Sequence, residues 1–352
     1  METKNKKKRF NPFDLQREGK GISKKNVDEN FRLKRFFSTY KTNFGKLVSV
    51  NMFFVLGNFP LFFLIAAWSG VTKSEIFLPL SDLFQNLTGL FSADGGLSPY
   101  KLSLFAIEGL QAQSYAPTAL TYIFYAIGAL SIFTFGLVNV GTAYILRNLA
   151  SGEPVFVWTD FWYAVKRNWK QALPFGIIDI GICAIILGNI YNLLTSTSDF
   201  IMSMLFWGNI IVFILYFFMR YYMYVQMVTF KLSVFKMFKN SLIFGILGFK
   251  RNIMALFGII IILFLEVLFV FGGGGIFISI GVIAPLTILF STFAFMKVYA
   301  SYYKIKVIMI DPYLAEHPEL NNKADEDEEI IMRDDVTERE RLEEIKRRNG
   351  IE

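Results

Sequence analysis

The sequence predicts an all-α, polytopic membrane protein: six transmembrane helices in three hairpins, with amphipathic helices along the cytosolic surface. Three observations predict it. The 352 residues are 54% hydrophobic, 17% aromatic and only 18% charged, with a mean hydropathy of +0.43, far too apolar for a soluble domain. Six apolar runs are long enough to cross a hydrocarbon core of roughly 30 Å at 1.5 Å per residue. Finally, residues 151–173 read SGEPVFVWTDFWYAVKRNWKQAL between two of those runs.

That stretch opens on Gly152-Glu153-Pro154, a turn signal in which Pro154 lacks a donor and blocks helix continuation. Thr159 and Asp160 then stand where an N-cap and a first helical turn favour oxygen acceptors and negative charge. Beyond them Phe161, Trp162, Val165 and Trp169 share one face, with Lys166, Arg167 and Lys170 on another. A basic, Trp-rich amphipathic helix joined to apolar runs belongs at a membrane surface.

From the N-terminus, residues 1–46 hold fourteen Lys or Arg against five acids, a basic cytosolic arm expected to lie on anionic lipid. No small-residue cleavage site follows a short apolar core, so no cleaved signal peptide is expected. Aromatics mixed with Arg32, Lys34, Arg35 and Lys41 mark a second surface helix over 31–44. The first span, 47–68, contains Asn51, Asn58 and Pro60. Pro60 is expected to kink it, and the Asn side chains to find partners on neighbouring helices.

Residues 69–116 form an extracytoplasmic insertion, carrying only Lys73 and Lys101 as basic residues. Leu83, Phe84, Leu87, Leu90 and Phe91 mark a short amphipathic helix there, Gly95-Gly96 and Pro99 break it, and a second apolar-faced stretch covers 102–110. Run 118–146 exceeds one crossing, so it is tilted, kinked near Gly128 or Gly136, or extended past the bilayer. Runs 172–194, 201–223, 253–271 and 276–298 follow as two hairpins, closed by the short 195–199 connection and the 272–275 glycine turn. Between them Lys231, Lys236, Lys239, Lys250 and Arg251 alternate with Phe235, Phe238 and Leu242, a third amphipathic stretch.

The six spans thus occupy a domain at 47–300, followed by a charged cytosolic tail over 301–352. Its part from 311 onward has fifteen acids and seven Lys or Arg, with a disordered acidic run at 325–329 and a capping box at Thr337 that starts a short helix to about 348. Of the Lys and Arg, 34 fall on the side of the termini and two on the other. The positive-inside rule places both termini in the cytoplasm of a cell-membrane protein. Lys41-Thr42-Asn43-Phe44, Lys166-Arg167-Asn168-Trp169 and Lys250-Arg251-Asn252-Ile253 precede the first, third and fifth spans. Either three copies of one hairpin unit are present, or every interfacial helix feeding a span must look this way.

Val50-Asn51 through Asn58-Phe59-Pro60, the 152–172 stretch with its Asp-Phe-Trp and Lys-Gln-Ala elements, and Phe238-Lys239-Asn240-Ser241-Leu242 within 230–244 resemble the YesL-like bacterial membrane proteins. That family is defined by a domain of unknown function. The resemblance covers roughly residues 31–68 and 130–300; the 69–116 insertion and the long tail depart from it. It implies a bacterial multi-pass protein associated with carbohydrate uptake, and brings no catalytic residues.

The chemistry-bearing residues point the same way. The single cysteine, Cys183, excludes a disulfide framework or thiolate cluster within the chain, and the single histidine, His317, sits in the tail. No phosphate-binding loop, His-Glu-x-x-His or pair of intramembrane carboxylates at helical spacing occurs, so no enzyme, metal site or cofactor is expected. The net charge of +7 is explained by topology rather than by nucleic acid. The expected function is a non-enzymatic accessory or scaffold protein whose cytosolic helices present Asp160, Trp162, Arg167, Trp169, Lys239 and Asn240 to transporter subunits. The alternative is a transporter or channel subunit with a polar path along Asn51, Asn58, Asn139, Asp179, Arg220 and Glu266. Asp179 and Arg220 lie equally far from the 199–200 turn, hence at one depth, and an unpaired charge at the bilayer centre costs about 3 kcal/mol. They are expected to pair, or to share Asn139, unless Arg220 snorkels to the headgroups while Asp179 meets water. Glu266 has no such partner and is either protonated or functional.

In a Cys183→Ser background, a cysteine replacing Ser92 should react with an impermeant maleimide on intact cells. One replacing Ser151 should react only after permeabilisation; labelling of Ser151 from outside would overturn the topology.

Overall fold

The computed structural model describes residues 32–93, 98–195, 199–272, 274–316 and 332–333. The basic arm before 32, the Gly95-Gly96 breaker, the acidic run at 325–329, the 337–348 helix and His317 lie outside the described residues. What is described is a helical, polytopic membrane protein. Five helices are long and apolar enough to cross a bilayer, or six if a bent pair counts as one span.

That bent pair is α2 (Phe44–Gly57) and α3 (Phe59–Trp68), set at 52° to each other. The bend falls where Pro60 removes a backbone donor and its ring crowds the carbonyl four residues back. Asn58 fills the break by donating its side-chain amide to the Phe54 carbonyl (3.0 Å). Helix α1 (Leu33–Thr42) precedes α2 and folds along the bundle, with buried Phe36 stacked on Phe295 at 5.3 Å.

After α3 the chain forms an element not expected from the sequence. Strand β1 (Lys73–Pro79) pairs antiparallel with β2 (Gln111–Pro117), from Lys73 opposite Pro117 to Pro79 opposite Gln111. Between them hang α4 (Phe84–Ala93), the short helix the apolar patterning predicts, and α5 (Pro99–Glu108), which covers most of the second apolar-faced stretch. Thr118 and Thr121 both donate to the Thr72 carbonyl (2.6 and 2.7 Å), tying the ribbon to the next helix. We call this the ribbon end of the bundle, and the opposite one the basic end.

The long run 118–146 resolves into α6 (Ala119–Ala129) and α7 (Ser131–Ser151), broken at Leu130 beside Gly128. Helix α7 ends on Gly152, whose φ of 92° closes the helix in the left-handed region. Helix α8 (Val157–Thr195) then runs unbroken for 39 residues, about 58 Å. This corrects the expectation of a surface helix at 159–171 followed by a separate span. Thr159 is not the N-cap: the helix starts two residues earlier, and Asp160 accepts from the Phe156 backbone N–H (2.9 Å). The reason is a single buried stripe. Phe161, Val165, Ala172, Phe175, Asp179 and Ile186 are buried, with half-buried Asn168 and Ile182 between them, in steps of about three and four residues. Packing of that stripe on its neighbours carries the helix through Pro174, whose cost is one backbone hydrogen bond.

Helix α9 (Phe200–Thr229) returns beside α8. A short extended step at Phe230–Lys231, to which Met332–Arg333 of the tail pairs in parallel, leads to α10 (Val234–Leu247). Helix α10 packs back along α9, with Tyr222 stacked on Phe244 at 5.6 Å. The chain continues with α11 (Phe249–Val267), α12 (Ile276–Ala284) and α13 (Phe290–Ile305), the latter two joined through the π-helical turn Pro285–Leu289. Helical structure continues past residue 300 to α14 (Asp311–Glu316).

The core is concentrated toward the basic end. Nearly every residue from Val138 to Ala150 is buried, as are Tyr221 to Val228 and Val298 to Tyr302. Toward the ribbon end the helices splay: only 6% of the apolar window of α9 is buried, and Phe200, Met204 and Trp207 are exposed. Such surface is stable against lipid.

One close approach fixes the α7/α8 pair. Gly136 and Gly176 face each other, and a Cβ on Gly136 would collide with the Ala172 carbonyl and the Gly176 backbone. Gly136→Val or Gly176→Leu should therefore destabilise the protein in detergent by about 1–3 kcal/mol or more. Gly188→Ala, where a Cβ meets nothing within 4 Å, should leave the unfolding temperature unchanged.

Candidate functional site

The charged centre of the bundle is built on Asp179, which α8 holds fully buried. Three α9 residues spaced four apart, hence on one face, converge on it. Tyr216 donates its hydroxyl to Oδ1 (2.8 Å) and Tyr224 donates to Oδ2 (2.7 Å). Arg220 donates Nη2 to Oδ2 (2.9 Å) and sets Nε 2.8 Å from Oδ1, a charge contact off the hydrogen-bond line. Cys183, one turn along α8, lies with its sulfur 3.8 Å from Oδ1. Thus Asp179 and Arg220 do pair inside the bundle, as the equal-depth argument expects. Both carboxylate oxygens accept hydrogen bonds, and the Arg220 guanidinium lies against both.

Beside this cluster lies a cavity of about 40 Å³ between α2, α7, α9 and α13, lined among others by Asn139, Thr142, Arg220, Tyr221, Tyr224 and Lys297. Asn139 does not join the ion pair; its amide donates to Phe135 O (2.9 Å) on its own helix. Asn51 is a bridge: its amide donates to Pro285 O (2.9 Å) and its carbonyl accepts from Ser291 N–H (3.0 Å), spanning the π-helical turn. Asn58 serves the α2/α3 bend. Glu266 belongs to none of these groups; it sits half-buried on α11 with Oε1 lacking a hydrogen-bond donor.

The expected partner surface divides. Trp162 and Trp169 are 44% and 50% exposed, joined by Trp158 (67%) and Phe156 (72%) at the start of α8. Lys239 is exposed and Asn240 half-buried on α10, while Asp160 is occupied at the α8 N-terminus. Arg167 turns inward: its Nη2 donates to Val228 O (2.7 Å), where Arg147 also donates through Nη1 (3.3 Å). Two guanidinium groups thereby meet the negative end of α9. Gln171 donates to Leu232 O just beyond (2.6 Å).

Sequence reasoning missed Tyr216, Tyr224, Tyr221, Lys297 and Arg147. The signal for the two Asp179 donors is their spacing of four on either side of Arg220, hidden among sixteen tyrosines.

With this geometry in view, comparison with known proteins adds one finding. A family model described as a protein of unknown function, DUF624, matches residues 115–190, about a fifth of the chain. The match takes in α6, α7 and most of α8, with Gly136, Gly176 and Asp179, and stops before Arg220. No curated protein and no solved structure matches the chain.

Asp179→Asn should leave Arg220 without its counter-charge and lower stability in detergent by about 3–5 kcal/mol. Asp179→Arg combined with Arg220→Asp should recover part of the loss. Tyr224→Phe alone should cost about 1.5–3 kcal/mol. Thermal unfolding of the purified variants measures all three, and an unchanged unfolding temperature for Asp179→Asn would contradict the assignment.

Proposed function

We propose that this protein is a non-enzymatic accessory or scaffold subunit of a bacterial membrane assembly for carbohydrate uptake. In this reading the bent α2/α3 pair is one span, giving six spans in three hairpins, and the basic end with both termini faces the cytoplasm of the cell membrane. The observation that carries it is the reach of α8. A helix of 39 residues exceeds a hydrocarbon core of roughly 30 Å by nearly two-fold. In this reading the overshoot lies at its first turns, where Trp158 and Trp162, with Phe156 just before the helix, are exposed. Aromatic side chains in water beside basic residues are the composition of a protein-binding surface.

The assignment to carbohydrate uptake rests on the resemblance to YesL-like proteins, which belong to the DUF624 group. The saturated state of Asp179 favours a structural over a catalytic role for the centre. A second reading, a transporter or channel subunit, has the polar cavity in its favour, but at about 40 Å³ that space holds water-sized bodies and not a sugar.

The test is affinity purification from native membranes in mild detergent. Sugar-transporter subunits should co-purify with the unmodified protein, and Trp158→Ala with Trp162→Ala should reduce recovery at least tenfold without lowering the unfolding temperature. Solute movement by the purified protein alone in vesicles would favour the second reading.

A further inference from the structure

We propose that the cavity between α2, α7, α9 and α13 is a binding site for a small inorganic anion of halide size. The argument starts from an inventory of hydrogen-bonding groups. Tyr221 is 2% exposed, lines the cavity, and its hydroxyl has no hydrogen-bond partner. Lys297, half-buried on α13, lines the same cavity; among the described residues its Nζ has no hydrogen bond and no carboxylate within salt-bridge reach, and the Phe217 ring lies 5.9 Å away. Arg220 spends Nε and Nη2 on Asp179 and leaves Nη1 without an acceptor among the described residues. Two further candidates are already engaged: Thr142 donates to Val138 O, and Tyr224 to Asp179.

The cavity thus presents three donors and no carboxylate. Charge points the same way as hydrogen bonding. Arg220 and Lys297 bring two positive charges and Asp179 one negative, leaving one positive charge uncompensated beside apolar Phe54, Leu146, Val225 and Ala294. A cation facing apolar side chains without a nearby counter-charge is unfavourable, and a buried hydroxyl without a partner, such as that of Tyr221, is rare. Water would satisfy the hydroxyl but leave the charge. An anion accepts from all three donors and closes the charge account in the same step. Size sets the class: about 40 Å³ admits roughly three water-sized bodies, enough for a halide with a water or two.

The test uses the full-length protein in nanodiscs of neutral lipid. Gluconate is replaced stepwise by chloride or bromide at constant ionic strength, while thermal unfolding and chloride-35 line broadening are followed. The expected result is a saturable, halide-specific rise in unfolding temperature with matching line broadening. Both effects should be lost in Lys297→Met, and the half-saturating concentration should rise at least tenfold in Tyr221→Phe. Tyr221→Phe removes only a hydroxyl and carries the test by itself if the methionine variant does not fold. No difference between chloride and gluconate would overturn the proposal. So would an effect that survives unchanged in the variants, or one that follows the anionic lipid content of the nanodisc and ignores the free ion.

Discussion

A carboxylate buried away from water has to be surrounded by donors, and here the donors come from a single neighbouring helix. Asp179 is met by Tyr216, Arg220 and Tyr224, three side chains that span nine residues of α9. One residue of α8 thereby fixes about 12 Å of α9. A slip by a single residue would break every contact at once. In lipid this matters more than apolar packing, because hydrocarbon tails are as apolar as leucine and do not prefer one apolar register over another. The steric contact of Gly176 with Gly136 lies three residues before Asp179. Helix α8 is therefore held by shape against α7 and by charge against α9, within one turn.

The basic residues at the opposite end of these helices have two uses. In the sequence they read as topology signals. In the fold, several also close helix C-termini. Arg147 and Arg167 meet Val228 O, and Arg35 donates to Ala150 O and Ser151 O (3.0 and 3.3 Å). Positive charge at these ends offsets the partial negative charge of unsatisfied carbonyls. Replacing such an arginine would therefore disturb packing as well as orientation, which complicates any reading of charge-reversal experiments.

Much of this was legible in the sequence and some was not, for physical reasons. Apolar run length marked the long helices, Pro60 marked the bend, and equal distance from the 199–200 turn brought Asp179 to Arg220. The continuity of α8 was missed because Thr159 and Asp160 are local signals of a helix start, and the basic residues up to Lys170 set off the apolar run that follows. The stripe from Phe161 to Ile186 is a longer-range signal that overrides them. The ribbon was missed because β1 and β2 lie 31 residues apart, and the alternation in Gln111–Pro117 is too short to stand out beside two apolar helices. The donors around Asp179 were hidden by abundance: in a chain this rich in tyrosine, no single one is conspicuous until its partner is placed. Lys297 and Tyr221 meet only in three dimensions.

The β1/β2 ribbon separates two parts of the molecule that are continuous in sequence. By pairing Lys73 with Pro117 and Pro79 with Gln111, it holds the two ends of the intervening segment together. The entropy of closing the loop is met by the ribbon, and lengthening a loop already closed adds little, because that cost grows only logarithmically with length. The helices beneath are insulated from whatever lies between the strands. Residues 80–110 are therefore an exchangeable module: different sequences, of different lengths, can be mounted on the same pair of strands and presented outward while the bundle below keeps one design.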